Sequence, residues 1–336
     1  MIGTYIGHLN YHDPLYGYLR DEICPQVDTS CKGSGFRVFQ PANSRHVYAY
    51  QEVDSGLCVI AKFHPPKPQP AGVPVRTGET EYRNLLFVRS LGLETAPYYV
   101  VRPLGYNPQI CNALVMEYLE GDLLGKVISD AVYLGRRERL FRKLSGMAHF
   151  LAVMHDRLAG ELPVDFQNGY DYMWRLINSL IVKRGMGPDH SDELYRLRDA
   201  WRSRGCMWED RSIFVHGDVT PSNFLVGRGH DIMAIDLERM QWMDRSFDIG
   251  RLCGELKHLF FQGSGDRYAA EPFINHFLRE YCSHFPDRNS AFRAITRRLP
   301  FYMGITLLRI ARNVWIPNEY RWRLVREAKT ILRALP

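Results

Sequence analysis

The sequence has no long apolar run and few cysteines, and both absences narrow what the chain can be. No stretch approaches the ~20 consecutive apolar residues of a membrane-spanning helix, and the N-terminus lacks a basic segment followed by an apolar one. The seven cysteines are scattered and never spaced as C-x-x-C. This usage argues against a disulfide framework or a cysteine zinc site, and it predicts reduced thiols in a cytoplasmic protein.

The composition provides enough apolar residues for two hydrophobic cores. The chain has 336 residues, 46% of them hydrophobic, which fits a two-lobed protein better than a repeat array. Its charge is uneven. From Arg239 to the end there are 17 Lys/Arg and 9 Asp/Glu, a net charge of +8, whereas the first 238 residues sum to −2.

The most informative segment is 215–238, VHGDVTPSNFLVGRGHDIMAIDLE. Asp218 and Asn223 lie five positions apart, and Asp236 follows thirteen residues later, after an apolar strand. The polar turn at 227–231 predicts a hairpin that brings Asn223 and Asp236 to one end of a site. Phosphoryl transfer requires one carboxylate that takes a proton from a hydroxyl. It also requires ligands for Mg²⁺, which an amide and a second carboxylate can provide. Taken singly, Asp218 would be interpreted as a turn residue and Asp236 as a helix cap.

HGDVTPSN (216–223) followed by IDLE (235–238) resembles the signature of the aminoglycoside phosphotransferase and choline kinase family. The resemblance implies an α+β, bilobal protein-kinase-like fold, with a small antiparallel-sheet N-lobe and a larger, mostly helical C-lobe. It also implies an ATP- or GTP-dependent small-molecule kinase. Asp218 would be the catalytic base, and Asn223 and Asp236 the Mg²⁺ ligands. Glu238 would be a further ligand or a neighbouring group.

The N-terminal third contains the pattern of three strands, at 36–40, 47–53 and 57–63. Lys62 ends the third strand, where the family keeps the lysine that grips the α- and β-phosphates. Its predicted partner is Glu81, in an amphipathic helix over 79–93, with Glu79 as the rival. An ion pair with a glutamate would orient the amine.

Two further nucleotide contacts are implied by the resemblance. The loop PANSRH (41–46) stands where protein kinases have a glycine-rich loop, and there Ser44 would contact phosphate. The strand NALVMEYLEG resembles the hinge that binds adenine. The Glu117 carbonyl and the Leu119 amide would then bind the base, with Met116 and Leu119 packing on it.

The predicted lobes are 1–117 and 118–336, the second built of helices, including 139–158, 171–181 and 192–204. Within these elements His155 is expected to be a packed, satisfied histidine. Asp248, in FDIGRLCGEL, is expected to brace the catalytic loop. The proline-rich segment 64–78 cannot be regular structure throughout.

The charge distribution bears on the acceptor. Acidic pockets suit polycationic aminoglycosides, so a basic C-terminal part favours a small neutral or anionic hydroxyl compound. Solvent-facing arginines on helices are the competing explanation. Binding to a membrane is not expected, and nucleic acid is disfavoured because the basic residues form no recognisable binding motif.

Two other functional classes stay open. A protein kinase is disfavoured because the glycine-rich loop, D-F-G and A-P-E signatures are missing. A catalytically silent nucleotide-binding protein would need a defect outside Lys62, Glu81, Asp218, Asn223 and Asp236, because all five are present.

Overall fold

The three strands expected between residues 36 and 63 form in the structure, a computed structural model that describes residues 2–42, 45–65 and 77–334. The chain divides into two compact units. The first comprises Met1–Gly121 and Met233–Arg239, and the second comprises Asp122–Ile232 and Met240–Pro336. The first division falls between residues 121 and 122, and a short later segment belongs to the N-terminal unit.

The first unit is built on a six-stranded antiparallel sheet. Its strand order is β1-β2-β3-β4-β8-β7. Residues 98–106 contribute to strands of two different sheets, because β6 pairs with β5 in a second sheet whereas β7 pairs with β8 in the six-stranded sheet. The strands of this unit are β1 Thr4–His8, β2 Phe36–Gln40, β3 Val47–Glu52, β4 Cys58–Lys62, β5 Glu94–Thr95, β6 Tyr98–Val100, β7 Pro103–Asn107 and β8 Ala113–Glu117.

A helical segment before β2 covers one face of this sheet and was not predicted. It consists of α1 Pro14–Tyr18, a π-helical turn Leu19–Ile23 and α2 Cys24–Val27. Leu15, Leu19 and Ile23 are buried with sheet residues in one hydrophobic core. Its short helices carry too few periodic apolar positions for a sequence pattern to identify them. The remaining helix of the unit, α3 Gly78–Ser90, matches the predicted amphipathic helix.

The second unit is mostly helical, as the patterns predict. Its helices are α4 Leu124–Tyr133, α5 Arg137–Arg157, α6 Gln167–Arg184, α7 Pro188–Arg202, the 3₁₀ turn Gly205–Met207, α8 Ser246–Ser264, α9 Glu271–Cys282, α10 Arg288–Ala311 and α11 Asn318–Arg333. Its strands are β9 Asp122–Leu123, β10 Ala159–Pro163, β11 Arg211–Val215, β12 Phe224–Val226 and β14 Gln241–Met243, while β13 Ile232–Ala234 crosses the division between the units.

Helices α8 and α10 pack unusually closely because two glycines of α8 face α10. A Cβ atom on Gly250 would overlap Tyr302, and one on Gly254 would lie 2.6 Å from Cγ2 of Thr306. Neither position has room for a side chain. The close approach fixes which α10 residues lie beside the face of α8 that carries Asp248.

The structure bears on two features predicted from the sequence, the lack of a membrane-spanning helix and the reduced state of the cysteines. Within the described residues, no helix is both long enough and apolar enough to cross a bilayer. All seven cysteines lie in the described residues and all are free thiols. Four are buried, two are half-buried and one is exposed: Cys24, Cys206, Cys253 and Cys282; Cys31 and Cys58; and Cys111.

Candidate active site

Lys62 lies among three carboxylates of the first unit. It ends β4, where Lys62 pairs with Val47 of β3 and Leu114 of β8, so strands on both sides hold its backbone. Its Nζ lies 2.7 Å from Oε2 of Glu81, 2.9 Å from Oδ1 of Asp236 and 3.1 Å from Oε2 of Glu238. Burial lowers the pKa of Lys62, but the three carboxylates outweigh it and raise that pKa above its ordinary value.

Glu81, rather than Glu79, is the residue that contacts Lys62. Thr77 caps helix α3 by accepting a hydrogen bond from the amide of Thr80, which places Glu81 in the first turn with its side chain fully buried. Glu79 instead pairs with Arg83 on the exposed side of the helix. The structure therefore brings together the pair that the sequence predicted and leaves its rival outside.

Asp236 has an uncommon backbone conformation, with φ of 64°. Hydrogen bonds hold the backbone on both sides of Asp236. The Asn84 amide nitrogen donates to the carbonyl of Leu237 at 2.8 Å, and the Ala234 carbonyl accepts from Val101. Such a conformation in a non-glycine residue persists only where its surroundings enforce it. Here it turns the Asp236 carboxylate toward Lys62.

The donor set around Lys62 suits a hard cation. Asp236 and Glu238 are partly exposed carboxylates, and carboxylate oxygens are the protein ligands that Mg²⁺ prefers. His64, Glu81 and Glu238 also place one ligand atom each within 4.8 Å of one another. Lys62 already pairs with the carboxylates of Glu81 and Glu238, so ion pairing accounts for the closeness of these three residues.

The predicted adenine-binding strand is β8. Met116 is buried, and the Glu117 carboxylate accepts hydrogen bonds from the Tyr99 hydroxyl and the Arg102 amide, both at 2.6 Å. Among the residues that the structure describes, no acceptor is found for the Leu119 amide. Ser44, the predicted phosphate contact, and residues 66–76 of the proline-rich segment lie outside the described residues.

The loop that carries Asp218 and Asn223 lies in the second unit and closes on itself. The Asn223 side-chain nitrogen donates to the Asp218 carbonyl at 3.0 Å, and the Thr220 amide donates to the same oxygen at 2.7 Å. The preceding Gly217 has φ of 80°, which favours glycine at this turn. The five-residue spacing therefore corresponds to a compact loop.

Asp248 anchors this loop from helix α8. Its carboxylate is fully buried and accepts hydrogen bonds from the amides of His216 and Gly217, at 2.8 and 2.9 Å. His155 lies 3.2 Å from the same carboxylate and 2.8 Å from the Tyr281 hydroxyl. Asp248 therefore has the bracing position, and His155 the packed position, that the sequence predicts.

Replacing Asp248 with Asn is expected to destabilise the second unit by about 2–3 kcal/mol, because a neutral amide cannot accept both backbone hydrogen bonds as strongly as a carboxylate. Urea unfolding at fixed pH measures the change. Asp156→Asn, at an exposed position of the same bundle, is the matched control. Equal stability losses in the two variants would contradict the anchoring role.

Sequence patterns did not single out four charged or aromatic residues near Asp218. Tyr172, Arg251, Glu255 and Arg309 come from three helices of the second unit, and Asp218 contributes to the electrostatic environment of both arginines and of Glu255. One signal was available. Arg251 and Glu255 follow Asp248 at i+3 and i+7, which places all three on one face of a helix.

Two groups of predicted residues are thus assembled, each within its own unit. Lys62, Glu81 and Asp236 converge in the first unit together with Glu238, while Asp218 and Asn223 share a loop of the second. The observed elements, an antiparallel sheet with one long helix followed by a mostly helical part, are those of the protein-kinase-like class.

Comparison with solved structures confirms this fold. A choline kinase from Cryptosporidium parvum Iowa II is 12% identical, with a TM-score of 0.65, over 95% of this chain and 94% of that one. An ethanolamine kinase from Plasmodium vivax is 13% identical, with a TM-score of 0.61, over 97% and 91% of the two chains. The GDP complex of an aminoglycoside 2'-phosphotransferase is 14% identical, with a TM-score of 0.55, over 95% and 99%.

The sequence itself places the chain more narrowly. Residues 36–289 match the model of the phosphotransferase enzyme family, so the chain belongs to that family. No curated protein sequence gives a significant match. The predicted enzyme class, a phosphotransferase, is confirmed at the level of the family, and the predicted protein-kinase-like fold by the solved structures.

Proposed function

We propose that this protein transfers the γ-phosphoryl group of ATP or GTP to a hydroxyl group of a small molecule. The observation that carries the proposal is the placement of Lys62. Lys62 ends a strand, pairs with the buried Glu81 and contacts the Asp236 carboxylate, which follows a short strand. A lysine held in this way is suited to bind nucleotide phosphates. Family membership supports the same chemistry.

Each residue has a role in this proposal. Lys62 binds the α- and β-phosphates, and Glu81 orients its amine. Glu117 and Leu119 bind the purine through their backbone groups, with Met116 packed against it, and Ser44 contacts phosphate. Asn223 and Asp236 are the proposed Mg²⁺ ligands. Mg²⁺ held by these two residues would supply positive charge against the phosphates.

Asp218 is the proposed catalytic base. It orients the acceptor hydroxyl and takes its proton as the new oxygen–phosphorus bond forms. The bond between the γ-phosphorus and the bridging oxygen breaks, and the nucleoside diphosphate leaves. The hydrogen bonds from Asn223 and Thr220 to the Asp218 carbonyl hold its backbone, which supports this role.

A screen of hydroxylated compounds tests the proposal. The protein is incubated with Mg²⁺ and ATP or GTP, and release of nucleoside diphosphate is followed in a coupled assay with sugars, amino alcohols, hydroxy amino acids and antibiotics. We expect slow turnover without an acceptor and at least a tenfold increase with the right class. If EDTA leaves the rate unchanged, or if neither nucleotide is consumed, the proposal is wrong.

A further inference from the structure

One face of helix α8 points toward the loop that carries Asp218. Asp248, Arg251 and Glu255 are spaced at i, i+3 and i+7, so they lie on the same side of the helix. Asp248 accepts hydrogen bonds from the loop at His216 and Gly217. Arg251 therefore lies one helical turn beyond an anchored contact with the proposed catalytic loop.

Helix α10 adds a second arginine to the same place. Gly250 and Gly254 let α10 approach α8 closely at Tyr302 and Thr306. One turn after Thr306, Arg309 forms an ion pair with Glu255. Guanidinium groups from two different helices, those of Arg251 and Arg309, are thereby held near Asp218.

Arg251 is almost completely buried, yet its hydrogen-bonding capacity is largely unused. Its side chain is 3% exposed and lies over the Phe247 ring, 5.1 Å from the centroid. Tyr172, Asp218 and Glu255 contribute to its electrostatic environment, but Nε and Nη1 have no hydrogen-bond partner among the residues that the structure describes. Arginine cannot become neutral to relieve its burial, so these donors favour an anionic acceptor.

The pKa shifts of Tyr172 and Arg309 agree with the closeness of the two arginines. Burial raises the pKa of Tyr172, but Arg251 and Arg309 outweigh it, so that pKa lies below its ordinary value. Burial lowers the pKa of Arg309 and the positive charge of Arg251 lowers it further, while the carboxylates of Glu255 and Asp218 offset part of this decrease. Two buried like charges repel each other, and an oxyanion bound to both relieves the repulsion.

We propose that the acceptor is a hydroxyl compound that carries an oxyanion group, phosphate or carboxylate, which Arg251 and Arg309 bind beside Asp218. This inference rests on the phosphotransferase function proposed above and narrows its substrate class. Cationic amino alcohols and aminoglycosides are then disfavoured by repulsion from the two arginines. Guanidinium groups form strong hydrogen bonds to such anions, and the Nε and Nη1 donors of Arg251 are spare.

Charge-matched acceptor sets test the inference on the unaltered protein. Each set keeps one carbon skeleton: glucose, glucosamine, glucuronate and glucose 6-phosphate, and correspondingly glycerol, ethanolamine, glycerate and glycerol 3-phosphate. We expect kcat/KM to be at least about tenfold higher for an anionic member of a set, with the two anionic members separating carboxylate from phosphate. A preference for the neutral or cationic member overturns the inference.

Arg251→Gln then assigns the preference to this side chain. We expect KM for the anionic acceptor to rise roughly 10- to 100-fold, as when a hydrogen bond to a charged group is lost, and to rise much less for the neutral member of the same set. Arg251→Lys should restore part of the difference. Arg326→Gln, on the second unit's last helix, is the control. An equal effect on all acceptors, or an increase in nucleotide KM alone, overturns the inference.

Anion binding can also be measured without turnover. Sodium sulfate should raise the melting temperature of the wild type more than that of Arg251→Gln, relative to sodium chloride at equal ionic strength, because only a specific site differs between the two proteins. Equal shifts contradict the site. Loss of Mg²⁺-dependent nucleotide turnover with this shift intact would instead show that the phosphotransferase proposal has failed while the anion site stands.

Discussion

Replacing Asp218 with Asn is expected to lower acceptor phosphorylation by roughly 10²- to 10⁴-fold, the range that a positioned general base contributes. Asn keeps the shape of the side chain and leaves the backbone contacts to the Asp218 carbonyl in place. The amide cannot accept the hydroxyl proton, so the loss should appear in kcat. Nucleotide binding should persist, because Lys62 and its carboxylates are unchanged in this variant.

Steady-state kinetics with a responsive acceptor and titration of a fluorescent nucleotide measure the two quantities separately. Asp192→Asn, at an exposed position of helix α7, is the matched control and should behave as the wild type does. If Asp218→Asn retained the wild-type kcat, Asp218 would have no role in proton transfer. If instead nucleotide affinity fell as much as kcat, the side chain would belong to the nucleotide site.

Replacing Asp236 with Asn is expected to lower Mg²⁺-dependent turnover by roughly 10³-fold, since a metal ion supplies several kcal/mol of charge stabilisation to the transition state. The substitution removes the negative charge that a cation needs. It also removes one of the three carboxylates around Lys62. The fold of the first unit should be retained, because the six-stranded sheet and helix α3 do not depend on this side chain.

The Mg²⁺ concentration at half-maximal rate and Mn²⁺ binding followed by electron paramagnetic resonance measure the effect. Glu238→Gln is the informative comparison, since Glu238 also contacts Lys62. A large shift in half-maximal Mg²⁺ in both variants would make Glu238 a ligand as well. An unchanged Mg²⁺ dependence in Asp236→Asn would remove that residue from the metal site.

The sequence predicted the local elements well where a pattern was long and regular. Strands β2, β3 and β4 and helix α3 follow from alternation and from helical spacing, which depend only on neighbours in the chain. The helices between residues 14 and 27 could not be found in this way. They are short, and the sheet that they cover, rather than their own periodicity, stabilises them.

Side-chain pairings show the same limit. The sequence favoured Glu81 over its rival Glu79 only through the family resemblance, because both lie in the first turn of one helix. Burial decides between them: Glu81 faces the interior and Lys62, whereas Glu79 pairs with Arg83 at the surface. A difference of two residues rotates a side chain to the other side of a helix, and only the orientation of the helix on the sheet fixes which side is inside.

By itself the sequence determined the family, the α+β class and the residues for which catalytic roles are proposed, because those residues lie in one continuous stretch or at the end of a regular strand. The tertiary structure alone decided the surroundings of Asp218. Arg251 and Arg309 are 58 positions apart, yet Gly250 and Gly254 let their helices meet closely enough to place both guanidinium groups near it. Packing between helices depends on shape across long chain separations, and no local pattern records it.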